Sequence, residues 1–137
     1  MIKNERDVRK WVSKKFGDAA LWVEHSSGGS IGFPDCLILH NSWHRKQFNQ
    51  NCWPLELKYG NIKNGSWSGD LRPAQVRVGQ QFMKYDVKMH ILVGSEFEKT
   101  LWICSFKNYF HRYGTDINTK MEPVNSHFDV VSFFLKR

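Results

Sequence analysis

Apolar residues near the start of the chain recur at helical spacing: Val8, Trp11, Val12 and Phe16, with Asn4 before them and Gly17 after them. Intervals of three and four place these side chains on one helix face. Asn4 is a suitable N-cap, Asp7 stands where a capping box has its acid, and Gly17 suits the C-terminal end. The period then changes to short apolar runs at 20–24, 35–40 and 53–59, which predict three strands. A glycine- and serine-rich loop, 26–32, separates the first two, and a polar insert, 41–51, separates the second from the third. After a longer loop at 60–70, Pro73 opens a second helix in its first turn, with Asp70 near its start and Ala74, Val78, Phe82 and Tyr85 as its apolar stripe. Two further strands are predicted at 88–93 and 101–106, joined by an acidic turn at 94–98. The remainder is less patterned: 108–113 fits a helical turn, and 129–135 fits a strand or a helix. The order helix, three strands, helix, two strands predicts an α/β domain with a mixed central sheet flanked by helices. At 137 residues the chain is long enough for one such domain, 1–137, and too short for two.

The second and third strands carry the most specific chemistry. Gly32-Phe33-Pro34-Asp35 opens the second, and Pro54-Leu55-Glu56-Leu57-Lys58 lies in the third. Strand alternation puts Glu56 and Lys58 on one face, Leu55 and Leu57 on the other. Asp35 and Glu56, brought together at strand ends, offer hard oxygen ligands to a divalent cation, and the Leu57 backbone carbonyl offers a further one. Lys58 then stands where an ammonium orients or helps deprotonate a water and stabilises charge on a phosphate. Such a set suits phosphodiester hydrolysis, which needs an in-line water, a neutralised phosphate and a stabilised leaving oxyanion. The bland alternative has Asp35 ending a turn and Glu56 and Lys58 forming a surface pair.

Charge adds a partner to this picture. The net charge of +7 and pI of about 9.5 favour a polyanion such as nucleic acid. Arg45, Lys46, Lys63, Arg72, Arg77 and Lys84 are candidate phosphate contacts, with Trp43 and Trp67 as stacking candidates. Ser26, Ser27, Gly28 and Gly29 offer further donors to a phosphate. No zinc-finger or helix-turn-helix pattern supports base-specific readout. Cys36, Cys52 and Cys104 form no C-x-x-C pair, and His40 and His44 lack partner cysteines, so buried thiols in a reducing compartment are expected rather than zinc. No apolar run approaches the roughly 18 residues of a membrane helix and no secretory h-region opens the chain, which predicts a cytoplasmic protein without a membrane partner.

Pro34-Asp35 followed by Glu56-Leu57-Lys58 resembles the PD-(D/E)XK nuclease superfamily. Gly32 before the Pro-Asp, and Gln75 on the helix after the third strand, are similar to its VRR-NUC and Holliday-junction-resolvase-like branch. The resemblance covers about residues 3–106 and leaves 107–137 as a C-terminal extension. It implies a restriction-endonuclease-like core of helix, three strands, helix and strand, with Mg²⁺ or Mn²⁺ held by Asp35 and Glu56. It implies that Lys58 is the catalytic lysine and that Gln75 joins it, bonded to Lys58 or to the attacking water. It also implies a first-helix glutamate completing the metal shell, which points to Glu5, with Glu24 a lesser competitor.

The function expected is a metal-dependent endonuclease acting on DNA, with 5′-phosphate products by the resemblance. A domain this small, without a separate recognition module, suits branched or junction DNA. Junction cleavage by two symmetric cuts implies a homodimer, for which the aromatic segment 128–135 is the candidate contact. The alternatives are a general, nicking or restriction-type DNA nuclease, and a non-catalytic nucleic-acid-binding domain on a nuclease fold.

Overall fold

Helix α1 (Glu5–Phe16) begins as its sequence dictates: Asn4 Oδ1 accepts the Asp7 N–H at 2.9 Å, and Asp7 Oδ2 accepts the Lys3 N–H at 2.8 Å. Gly17 closes it, and a short 3₁₀ turn (Gly17–Ala19) leads into the sheet. The computed structural model describes residues 2–24, 32–40, 50–96, 98–112 and 118–136. Its strands are β1 (Ala20–Trp22), β2 (Cys36–Leu39), β3 (Cys52–Tyr59), β4 (Ile62–Lys63), β5 (Ser66–Trp67), β6 (His90–Ser95), β7 (Glu98–Ser105), β8 (Thr119–Lys120) and β9 (Glu122–Val124). The remaining helices are α2 (Pro73–Lys84), α3 (Phe106–Arg112) and α4 (His127–Phe134).

The central sheet runs β1-β2-β3-β6-β7-β9. Among the described strands of this sheet, only β3 and β6 are parallel, joined by a crossover that contains α2, and the other pairs are antiparallel. Side-chain alternation divides the apolar residues into two layers. Trp53, Leu55 and Leu57 of β3 pack with Val8 and Val12 of α1 and Val130 and Phe134 of α4. Ile91 and Val93 of β6 pack on the other side with Val76 of α2 and Phe106 and Tyr109 of α3. The fold is therefore α/β, a mixed sheet with helices on both faces.

The structure corrects four readings. The 60–70 segment is no plain loop: β4 and β5 form a hairpin that β8 extends into a second, three-stranded sheet. The buried stripe of α2 is Val76 and Gly79, and Tyr85 is 69% exposed. A Cβ at Gly79 would lie 2.2 Å from Phe106 Cε1, so that glycine lets the ring lie against the helix and turns this face inward. Asp70 makes no cap for α2; it meets Arg112 and Tyr109 instead.

The fourth correction concerns residues 107–137, which are no appendage. β9 forms the far edge of the central sheet, and α4 covers its α1 face. Ser126 caps α4 by accepting the Asp129 N–H at 3.2 Å. Phe134 stacks on Trp53 with centroids 5.2 Å apart and planes at 9°, and Phe133 meets His90 edge-on. The aromatic segment expected at a dimer contact is thus committed to the chain's own core, and only its Phe128 is strongly exposed, at 71%.

Cys36 and Cys104 are buried free thiols, and Cys52 is half-buried and free. Burial pushes the Cys104 thiol up to about 12, and Cys36 also lies above the usual range for the same reason. No helix among the described residues is long and apolar enough to cross a membrane.

Candidate metal centre

The site is built where β2 begins beside the middle of β3. Cys36 pairs with Leu55, so Asp35, one residue before the strand, falls opposite Glu56. Asp35 Oδ2 accepts the Leu57 N–H at 2.7 Å, a bond that takes over where the β2 backbone ceases to pair. The N–H and C=O of one strand residue point to the same edge, so the Leu57 carbonyl also lies on the Asp35 side. Alternation turns Glu56 and Lys58 away from the layer occupied by Leu55 and Leu57. Glu5, in the first turn of α1, completes the group.

One carboxylate oxygen from each of Glu5, Asp35 and Glu56 lies within 4.8 Å of the other two. That spread is close to the roughly 4 Å between opposite oxygens around one Mg²⁺. Glu56 is only 2% exposed, and its Oε2 is buried with no hydrogen-bond partner among the described residues. A buried carboxylate oxygen without a donor is costly unless a proton or a cation meets it. The donor set therefore fits a hard divalent cation, with the Leu57 carbonyl as a further oxygen.

The electrostatics agree with this crowding. Burial raises the Glu56 carboxyl above its ordinary range, reinforced by a hydrogen bond with Asp35 and by the Asp35 charge, while Lys58 opposes the shift. Glu5 is raised by burial and by Asp35, against the pull of Lys58, Arg72 and Arg9. Three acids meet, with three cations within electrostatic reach of Glu5.

The predicted residues are distributed as follows. Glu5 joins Asp35 and Glu56, whereas Glu24 is exposed at the end of β1 and outside the group. Gln75 is half-buried, and its Oε1 accepts the Arg72 N–H at 2.8 Å. Its carbonyl oxygen thus serves the start of α2, because the third residue of a helix reaches back to its cap. Lys63, Arg72, Arg77 and Lys84 are exposed. Trp67 is 3% exposed, so the expectation that it stacks on bases is corrected: its ring fills the space between Gly60, Gly69 and Tyr109. Trp43, Arg45 and Lys46, with Ser26, Ser27, Gly28 and Gly29, lie outside the described residues.

Two features escaped the sequence reading. Arg9 acts electrostatically on Glu5 and Cys36, and its guanidinium lies 4.3 Å from the Trp22 ring centroid. Its position four residues after Glu5, on the same helix face, was the available signal. The second is a buried bracket beneath the start of α2. Tyr109 Oη accepts the Leu71 N–H at 2.8 Å and meets Asp70, and Arg112 donates to Thr119, to the Gly69 carbonyl at 2.6 Å and to Asp70 at 3.3 Å. It fixes the entry to the helix that carries Arg72 and Gln75.

No protein-family model matches the chain, and no curated protein matches it.

Proposed function

We propose that the protein is a divalent-metal-dependent endonuclease of the PD-(D/E)XK type, with a restriction-endonuclease-like core, that hydrolyses DNA phosphodiester bonds and prefers branched or junction DNA. The observation that carries this reading is the convergence of Glu5, Asp35 and Glu56 on one point, with Lys58 on the Glu56 face of the same strand. Three carboxylates within 4.8 Å of one another, with one Glu56 oxygen buried and without a donor, support a multivalent ion as their partner.

Asp35, Glu56 and Glu5 would hold Mg²⁺ or Mn²⁺. Such an ion supplies charge to the phosphodiester and makes water a better nucleophile. Lys58 presents its ammonium on the same face and orients the water or offsets charge building on the phosphate. Arg72, exposed at the entry to α2 and within electrostatic reach of Glu5, is placed to take a non-bridging phosphate oxygen.

The test is cleavage of four-way junctions, flaps, linear duplex and single strands with Mg²⁺ or Mn²⁺, by the parent protein, Asp35→Ala and Lys58→Ala. Metal-dependent cutting that both variants lose supports the reading, and preference for the junction or flap supports the substrate class. Absence of cutting on every substrate, or cutting that both variants retain, removes it.

A further inference from the structure

The second sheet, whose first strand follows directly on β3, presents an exposed lysine row, and we infer that it grips the sugar-phosphate backbone of the DNA duplex beside the cut. This rests on the nuclease reading. Lys63 pairs with Ser66, and Ser66 with Lys120, so the three residues form one row across β4, β5 and β8. Cross-strand partners share a face. The alternate row, Ile62, Trp67 and Thr119, is buried, which leaves the Lys63–Ser66–Lys120 row outward, with both lysines exposed.

Three observations make this a built surface rather than two scattered charges. The hairpin is stiff: Asn64 and Gly65, with φ of 53° and 75°, form a two-residue turn with the positive angles of a type I′ hairpin. The Gly65 carbonyl accepts the Met121 N–H at 2.8 Å, which continues the β5–β8 pairing toward that turn. The sheet is also bolted down, by Trp67 against Tyr109 and by Arg112, which bonds Thr119 of β8 and the Gly69 carbonyl together. Finally, the sheet is free of opposing charge, since no Asp or Glu occurs in 60–69 or 118–121. Neither lysine makes an ion pair among the described residues.

Its position selects the occupant. Two strand spacings put the Lys63 and Lys120 backbones about 10 Å apart. Five residues of chain from Lys58 to Lys63 reach at most about 18 Å. That is near half of the roughly 34 Å helical turn of a duplex. Lys63 thus lies within about 18 Å of Lys58 and Lys120 within about 28 Å, a reach that suits phosphates within about eight base pairs of the bond under attack.

The experiment measures binding of a fluorescein-labelled 20-base-pair DNA duplex, in Mg²⁺ and over a range of salt, using Lys58→Ala as the non-cleaving parent. Adding Lys63→Ala and Lys120→Ala should weaken binding about tenfold or more, and lower the salt slope by about two. Lys14→Ala with Lys15→Ala removes equal charge from the exposed last turn of α1 and should change affinity less than twofold. Phosphate-ethylation interference should map the lost contacts to within about eight base pairs of the bond that the unsubstituted protein cuts. An unchanged affinity and slope in the double variant, an equal loss in the α1 control, or no duplex binding by the parent overturns the inference. Failure of the unsubstituted protein to cleave any DNA instead strikes the nuclease reading, so the two failures are separable.

Discussion

The Asp35 carboxylate accepts the backbone N–H of Leu57 at 2.7 Å, so one side chain both faces the acidic cluster and ties the start of β2 to the middle of β3. Asp35→Ala removes a ligand and strands a backbone donor. It should abolish Mn²⁺ binding by calorimetry and cost about 1–3 kcal/mol in urea denaturation. Asp35→Asn keeps an acceptor for Leu57 and should lose the metal while retaining most of that stability. Parent-like Mn²⁺ affinity in Asp35→Ala rules out the assigned ligand role.

Glu56 yields a pH prediction. Its folded carboxyl titrates above the ordinary value of 4.5, through burial first and Asp35 second. The folded state therefore holds the proton more tightly than the unfolded one. This contribution is complete below pH 4.5 and is lost as pH rises through the folded value. In EDTA, the Tm of Glu56→Gln should fall less than that of the parent between pH 5 and pH 8. Mg²⁺ should raise the Tm of the parent and leave that of Glu56→Gln unmoved; a variant with the parent's pH profile and metal response refutes this.

His90 acts in the opposite sense. It is 2% exposed, against Phe134 at 4.7 Å, Phe133 at 5.5 Å and Trp53 at 6.2 Å, and burial depresses its pKa from 6.5 to about 3. Its contribution is present above pH 6.5 and drains away as pH falls toward 3, by up to about 1.4 kcal/mol per pH unit. His90→Phe keeps an aromatic ring and removes the titration. Urea midpoints of that variant should fall less between pH 6.5 and pH 4 than those of the parent; equal slopes would refute the assignment.

Arg112 is 8% exposed and serves Thr119, Gly69 and Asp70 at once, with its guanidinium 4.7 Å from the Tyr109 ring centroid. Arg112→Ala removes the donor from the buried Thr119 hydroxyl, from the Gly69 carbonyl and from the exposed Asp70 carboxylate, and should cost about 1–3 kcal/mol. Arg112→Lys should recover little, since one ammonium cannot reproduce the planar fork. Chemical denaturation of both variants decides it, and a lysine variant as stable as the parent counts against the bracket.

Gly32 stands at φ of 85°, and a Cβ there would lie 2.4 Å from the Ala74 carbonyl oxygen. The turn that delivers Asp35 is thus pressed against α2, with Phe33 and Phe82 in edge contact at 5.7 Å. Gly32→Ala should cost more than the roughly 1 kcal/mol of the left-handed backbone alone, and should weaken Mn²⁺ affinity by moving Asp35. Thermal melting and Mn²⁺ titration of the purified variant check both halves.

Local signals carried the reading furthest. Asn4, the Val8 and Val12 face and Gly17 bound α1 through contacts within a few residues, and apolar runs mark β2 and β3 for the same reason. The pairing of Asp35 with Glu56 followed from two strand motifs. What escaped depended on partners distant in sequence. Arg112 looks like a surface base until Asp70 and Thr119 close on it, and Trp67, set among serines, looks exposed until Tyr109 covers it. The 60–70 segment reads as a loop because the strands flanking its Asn64-Gly65 turn are two residues long and offer no alternation to read. The 129–135 segment stayed ambiguous because its aromatics fit either period, and Trp53 selected the helix by stacking on Phe134.

That stack also sets an order of events during synthesis. The strand that carries Glu56 and Lys58 is held on its opposite side by Phe134, a residue near the far end of the chain. Until α4 has been made, Trp53 and Leu55 have only the α1 side of their cover, from Val8 and Val12. The strand that presents Glu56 and Lys58 thus gains its aromatic backing late, once residues 127–134 are in hand.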